Sequence, residues 1–174
     1  MQDIYDKARA VRLAIFDVDG VMTDGRLYYS ERGEELKVFD VRDGHGLKML
    51  QESGVRLALL TSRSARAVAL RAENLGISLV YQGVADKLTA FREILGELRL
   101  DAAAASFMGD DLVDLPVLRH CGLALAVADA AAEVRDAAHY VTRAGGGRGA
   151  VREACELILR AQGNFDAQLA VHAS

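Results

Sequence analysis

Two acidic pairs stand directly after apolar runs. Leu13–Phe16 leads into Asp17-Val18-Asp19-Gly20, and Ala105–Met108 leads into Gly109-Asp110-Asp111, with Asp114 three residues on. Between them the run Val55–Leu60 ends at Thr61-Ser62-Arg63, and Lys87 stands before a long amphipathic stretch. A cluster of Asp oxygens suits a hard cation, and Mg²⁺ commonly takes a few carboxylates plus substrate phosphate. Asp17 is placed to act as a nucleophile that forms an aspartyl-phosphate. Asp19, two residues on, is within reach of the leaving group and then of water. Thr61 offers a hydroxyl and a backbone N–H to phosphoryl oxygens, and Lys87 offers a cation. Phosphoryl transfer asks for little beyond positioning and charge neutralisation. Taken singly, each signal is weak. A D-x-D occurs in many turns, Thr-Ser after a strand is commonly a helix cap, and Asp110-Asp111 could merely cap. It is their order along one chain that carries weight.

These groups need elements that deliver them to one place. The runs Leu13–Phe16, Val55–Leu60, Ile77–Tyr81, Ala105–Met108, Leu123–Val127 and His139–Val141 have strand length and apolar neighbours rather than strict alternation. That is the pattern of parallel strands covered on both faces. Helical stretches lie between them: Gly46–Ser53, Ala65–Asn74, Lys87–Arg99, Leu115–His120 with Pro116 in its first turn, Ala130–Ala137 and Ala150–Ala161. The alternation predicts an α/β fold, a doubly wound (Rossmann-like) parallel sheet. Ligands in such sheets bind beyond the carboxyl ends of the strands, where these polar groups fall. One segment interrupts the alternation. Arg26–Ser30 and Glu34–Phe39 flank Glu31-Arg32-Gly33 and predict a β-hairpin inserted at about 25–40. The expected organisation is one domain over 1–162 and a tail over 163–174, mobile in isolation.

With 174 residues the chain suits one domain. Its 21 Lys and Arg against 25 Asp and Glu give a net charge of −4, which argues against a nucleic-acid or membrane-surface binder. No apolar run approaches a membrane span, and the N-terminus has no signal-peptide apolar core. Cys121 and Cys155 are far apart and read as ordinary buried residues of a reducing compartment. His120, His139 and His172 read as structural or exposed.

The motifs Phe16–Val21, Leu60-Thr61-Ser62, Lys87 and Gly109–Asp114 resemble those of the haloacid dehalogenase superfamily, over Leu13 to about Ala161. The resemblance implies Asp17 as nucleophile and Asp19 as acid/base. It implies Mg²⁺ held by the Asp17 carboxylate, the Asp19 carbonyl and the Asp110 carboxylate, supported by Asp111 and Asp114. Thr61 and Lys87 would bind phosphate. Asp17–Gly25, Phe39–Leu50, Thr61–Arg63, Gly109–Pro116 and Gly145–Glu153 resemble more narrowly the 3-deoxy-D-manno-octulosonate 8-phosphate phosphatases. Ser62 stands where that family commonly has glycine, and His45 where it commonly has an aromatic residue. This second resemblance implies a cytoplasmic homotetramer without a cap domain, serving lipopolysaccharide biosynthesis. It places substrate contacts at Asp19, Asp40, Val41, Arg42, Asp43, Gly44, Lys48, Arg63, Arg71 and Lys87.

The spacing alone also leaves no room for a lid. Asp19 to Thr61 holds only the hairpin and one helix, and Thr61 to Lys87 one βα unit. Cover for the site is then expected from the hairpin and a neighbouring subunit. The loop Gly145–Gly149 reads as a flexible helix entry, while the resemblance has the C-terminal segment reaching a neighbour's site. Arg63 directly follows a strand end, which favours it as a carboxylate or phosphate partner. Rival readings are a nonulosonate 9-phosphate phosphatase and a non-catalytic oligomerisation module, whose mark would be loss of Asp17 or Asp19. A phosphoacceptor signalling domain would need a lone acceptor Asp on a middle strand, and Leu60-Thr61 does not supply it.

Overall fold

The computed structural model describes Gln2–Ala173, with side chains described through Val171. The elements in chain order are α1 (Gln2–Ala10), β1 (Leu13–Phe16), β2 (Tyr28–Tyr29), β3 (Glu35–Leu36), α2 (Val41–Glu52), β4 (Arg56–Leu60), α3 (Arg66–Leu75), β5 (Leu79–Tyr81), α4 (Lys87–Leu98), β6 (Ala105–Gly109), α5 (Leu115–Leu118), β7 (Leu123–Ala126), α6 (Ala132–Ala137), β8 (Tyr140–Val141), α7 (Ala150–Ala161) and α8 (Phe165–Ala173). Six strands form one parallel sheet in the order β5-β4-β1-β6-β7-β8. Every residue of β1, β6 and β7 is buried, which explains why their sequences run apolar without alternation. Strand order reverses at β1, which lies between β4 and β6. The crevice beyond its carboxyl end is therefore the topological switch point, the place where such sheets bind ligands.

The inserted hairpin is a separate two-stranded antiparallel sheet, with Tyr28 opposite Leu36 and Tyr29 opposite Glu35. Its strands are shorter than expected. Gly33, in the polar turn expected between the two strands, has φ 78°, a left-handed geometry that favours glycine. Leu27, Tyr28, Tyr29, Leu36 and Val38 are all exposed.

Three parts of the fold depart from the sequence expectations. Helix α1 was not anticipated, since its nine residues include four charged ones; it buries Ala8 and packs along α7. Helix α2 begins at Val41 rather than Gly46 because the Asp40 carboxylate caps the backbone N–H groups of Arg42 and Asp43. Glycines 44 and 46 in its first turns let neighbours approach. A Cβ on Gly44 would stand 2.2 Å from Arg71 Nη2, and one on Gly46 would stand 3.1 Å from the Arg152 Cα. Finally, the segment after Gly163, for which no helix was expected, forms α8, and the Arg160 guanidinium of α7 lies 3.5 Å over the Phe165 ring. Among the described residues no helix is long and apolar enough to cross a membrane.

Candidate active site

Each strand end at the switch point contributes one group. Asp17 leaves β1 with its N–H donating to the Met108 carbonyl, so the chain continues the ladder for one residue beyond the strand. Thr61 does the same after β4, its N–H donating to the Tyr81 carbonyl at 2.9 Å. This corrects the sequence reading of Thr61: its backbone N–H belongs to the sheet, and the hydroxyl is the group left for a ligand. That hydroxyl accepts the Arg63 N–H at 3.3 Å. Lys87 opens α4, whose N-cap is Asp86, and its side chain is buried. Asp110 and Asp111 follow β6, and Asp114 lies at the end of the 3-10 turn Leu112–Asp114.

The arrangement is a compact charge cluster. Lys87 Nζ lies 2.9 Å from Asp17 Oδ1 and donates to Asp114 Oδ1 at 2.6 Å. The other Asp114 oxygen accepts the N–H groups of Asp110 at 2.9 Å and Asp111 at 3.3 Å. Carboxylate oxygens of Asp17, Asp110 and Asp114 all fall within 4.8 Å of one another. Asp114 is completely buried, and both its oxygens are taken by Lys87 and the backbone. It is a support for the other two rather than a ligand to anything else.

Electrostatics bear this out. Burial pushes the Asp17 carboxyl up to about 6, against the attraction of Lys87 and with a further push from Asp114. Burial together with the charges of Asp17, Asp114 and Asp111 pushes Asp110 up to about 8. Burial alone would lower the Lys87 ammonium, but Asp17 and Asp114 outweigh it and hold it above the ordinary lysine value. One lysine thus serves three carboxylates. The surplus negative charge at Asp17 and Asp110 is the chemistry of a hard divalent cation site, so these residues fit Mg²⁺.

A cleft of about 260 Å³ opens on this cluster, lined among others by Asp17, Asp19, Thr61, Arg63, Lys87 and Asp110. Six of the expected residues therefore meet. Asp111 lines the same cleft, and the other expected substrate contacts lie elsewhere in the chain. Val41, Gly44, Lys48 and Arg71 line a second cleft of about 230 Å³ between α2 and α3, beside His45. Arg71 donates to the Asp40 carbonyl at 3.1 Å and lies over the Phe39 ring. Arg42 is exposed. Asp43 is buried and accepts the N–H groups of Gly149 at 3.3 Å and Arg152 at 2.8 Å, so it satisfies the first turn of α7, while burial holds its carboxyl above the ordinary value.

The glycine loop before α7 is not a loose entry. Gly147 has φ 63° and donates to the Val21 carbonyl at 2.9 Å, and a Cβ on Gly146 would stand 1.8 Å from the Gly20 carbonyl oxygen. The loop packs on the turn that carries Asp19. His120 Nδ1 donates to the Pro116 carbonyl at 2.7 Å and His139 Nδ1 accepts the Ala124 N–H, both in structural roles. The His172 side chain lies outside the described residues. Burial pushes the Cys121 thiol up to about 12 and the Cys155 thiol up as well, which leaves both inert.

Sequence reasoning missed two residues beside Asp19. Lys37 donates to Asp19 Oδ1 and lies 2.8 Å from Glu35 Oε1, while Arg63 Nη2 donates to Glu35 Oε2 at 2.8 Å. The available signal was the hairpin strand itself. Glu35 and Lys37 are two apart and so share one face, an unlike-charged pair directed to the same side.

Comparison with known proteins agrees with the geometry. A model of haloacid dehalogenase-like hydrolases matches residues 78–149. The chain is 49% identical to the 3-deoxy-D-manno-octulosonate 8-phosphate phosphatase of Yersinia pestis over 94% of this chain and 88% of that protein. The Moraxella catarrhalis phosphatase of the same name, solved in complex with magnesium ion, phosphate ion and a KDO molecule, superposes with a TM-score of 0.97 at 44% identity, covering 99% of both chains. The cobalt-bound Haemophilus influenzae enzyme gives a TM-score of 0.89 at 40% identity over 92% of this chain and 94% of that one.

Proposed function

The chain belongs to the haloacid dehalogenase-like hydrolases, and from that premise we propose that it is the Mg²⁺-dependent phosphatase that cleaves 3-deoxy-D-manno-octulosonate 8-phosphate to the free sugar acid and phosphate. The observation that carries the reading is Lys87, held between Asp17 and Asp114 at the switch point with Asp110 beside them. Mg²⁺ would be held by the Asp17 and Asp110 carboxylates and the Asp19 carbonyl, and it supplies neutralising charge for the phosphoryl oxygens.

The residues then divide the work. An Asp17 oxygen attacks phosphorus, the bond from phosphorus to the sugar oxygen breaks, and Asp19 gives that oxygen a proton. Water next attacks the aspartyl-phosphate and passes a proton to Asp19, and Asp17 leaves as a free carboxylate. Lys87 and the Thr61 hydroxyl hold the phosphoryl oxygens, and the buried Asp114 keeps Lys87 on station. Arg63, at the mouth of the cleft, suits the substrate carboxylate.

Among the described residues no segment covers the cleft, and two features support a homotetramer as the working form. The hairpin exposes Leu27, Tyr28, Tyr29, Leu36 and Val38 together. It also leaves both edges of a two-stranded sheet open to pairing. The second cleft, with Lys48 and Arg71, would then complete the substrate contacts across an interface. In this reading the enzyme acts on a small molecule in the cytoplasm, within lipopolysaccharide synthesis. Phosphate release from a panel of sugar phosphates, with Mg²⁺ and with chelator, tests the reading. Preference for the 8-phosphate supports it; equal or better cleavage of a nine-carbon sugar-acid 9-phosphate, or turnover that survives chelation, overturns it.

A further inference from the structure

The hairpin reaches the chemistry through one lysine. Lys37 has a side chain only 2% exposed, although its strand is at the surface. Its ammonium donates to Asp19 Oδ1 and lies 2.8 Å from Glu35 Oε1. Glu35 is tied in turn to Arg63 at 2.8 Å. The other Asp19 oxygen, Oδ2, is buried and has no hydrogen-bond partner among the described residues; Arg63 Nε stands 4.0 Å from it. The two oxygens of one carboxylate are thus in different surroundings.

We propose that Lys37 is a positioning residue for Asp19: held by Glu35 on one side, it anchors Oδ1 on the other and fixes the Asp19 carboxyl group at the wall of the cleft. An ammonium has three donors, so one lysine can hold both carboxylates at once. The inference rests on the phosphatase reading. In the first half-reaction the Asp17 oxygen bonds to phosphorus, the bond to the sugar oxygen breaks, and a proton passes from Asp19 to that oxygen. In the second, water bonds to phosphorus, the bond to Asp17 breaks, and a water proton returns to Asp19. Both steps balance without another reactant. The hairpin therefore sets the geometry of proton transfer as well as offering a surface.

A general acid matters most when the leaving group is poor. An alkyl phosphate needs its oxygen protonated, whereas a nitrophenolate departs without help. A lysine that merely clasped the hairpin, or merely neutralised phosphate charge, would affect both ester types alike. The test compares Lys37→Met and Lys37→Arg with wild type, full length and with Mg²⁺, by kcat/KM on the sugar-acid phosphate and on 4-nitrophenyl phosphate. Lys37→Met is expected to lose about 10- to 100-fold on the sugar-acid phosphate, part of the contribution of general acid catalysis, and less than about threefold on the aryl ester. Lys37→Arg is expected to regain most of the loss, since it restores a donor to Oδ1. Equal losses on the two esters, no loss on the sugar-acid phosphate, or an arginine variant as poor as the methionine one would overturn the proposal. A hairpin that had come undone would lower both esters alike and so also counts against it. Wild-type turnover reports separately on the substrate reading. If the 8-phosphate were not a substrate, the same comparison would be made on whichever alkyl phosphate the enzyme cleaves.

Discussion

Replacing Asp110 by asparagine should abolish turnover and yet stabilise the protein when no metal is present. The Asp110 carboxyl is pushed from its ordinary value of 3.8 up to about 8, first by burial and then by the charges of Asp17, Asp114 and Asp111. A carboxyl whose folded value is raised binds its proton more tightly in the folded chain. The contribution of this one carboxyl to stability is therefore greatest below about pH 4 and declines as pH rises from there toward about 8. At pH 7 the gap from 3.8 is about three units, worth about 4 kcal/mol at roughly 1.4 kcal/mol each. Partial contact with solvent reduces this, so a cost on the order of 2 to 4 kcal/mol is expected. Asparagine has nearly the shape of the neutral acid and carries no charge. In chelator at pH 7 the variant should melt higher than wild type by roughly 5 to 10 °C. The difference should be small at pH 4.5, grow toward pH 8, and shrink in Mg²⁺, which rewards wild type alone. Thermal or urea unfolding at several pH values, with chelator or Mg²⁺, measures each quantity. A variant less stable than wild type in chelator at pH 8, or a difference that ignores pH, would refute the reasoning that these carboxylates are held in surplus.

Asp17→Asn should leave folding near wild type and remove turnover, because an amide cannot attack phosphorus; phosphate release and thermal melting check it. Lys87→Met should cost about 3 to 5 kcal/mol in urea unfolding with chelator, since it leaves Asp17 and Asp114 facing each other without their cation. Truncation after Gly163 should alter turnover more than it alters unfolding, because α8 exposes Leu169 and Val171 and adds little core; light scattering and steady-state kinetics on both forms decide it.

Where the sequence was legible, burial made it so. Strands β1, β6 and β7 read correctly because both faces are covered, and the aspartates that follow β1 and β6 are forced to the crevice edge. Helix α7 was placed to its last residue because its apolar positions recur at helical spacing against the sheet. What escaped depended on partners distant in sequence. The start of α2 was hidden by its two glycines, poor helix formers that are tolerated because Arg71 and Arg152 press against them. Nothing in the neighbourhood of Asp43 announces that it will serve a helix beginning more than 100 residues later. Lys48 and Arg71 were grouped with Arg63 by charge, but a helix carries them to a different cleft. Lys37 escaped notice because a hairpin's sequence does not say which face folds back over the chain.

The register of β1 has a consequence for when the enzyme comes into being. Leu13 pairs with Arg56 on one side and with Ala105 on the other, so the nucleophile's strand is made first but is flanked on both sides only once β6 has been made. Asp110 and Asp114, and with them the anchor of Lys87, arrive only after β6 has docked. A chain emerging from the ribosome therefore carries Asp17 for most of its synthesis with no means of using it. Hydrolytic capacity is acquired in one event, when the long-range half of the sheet closes.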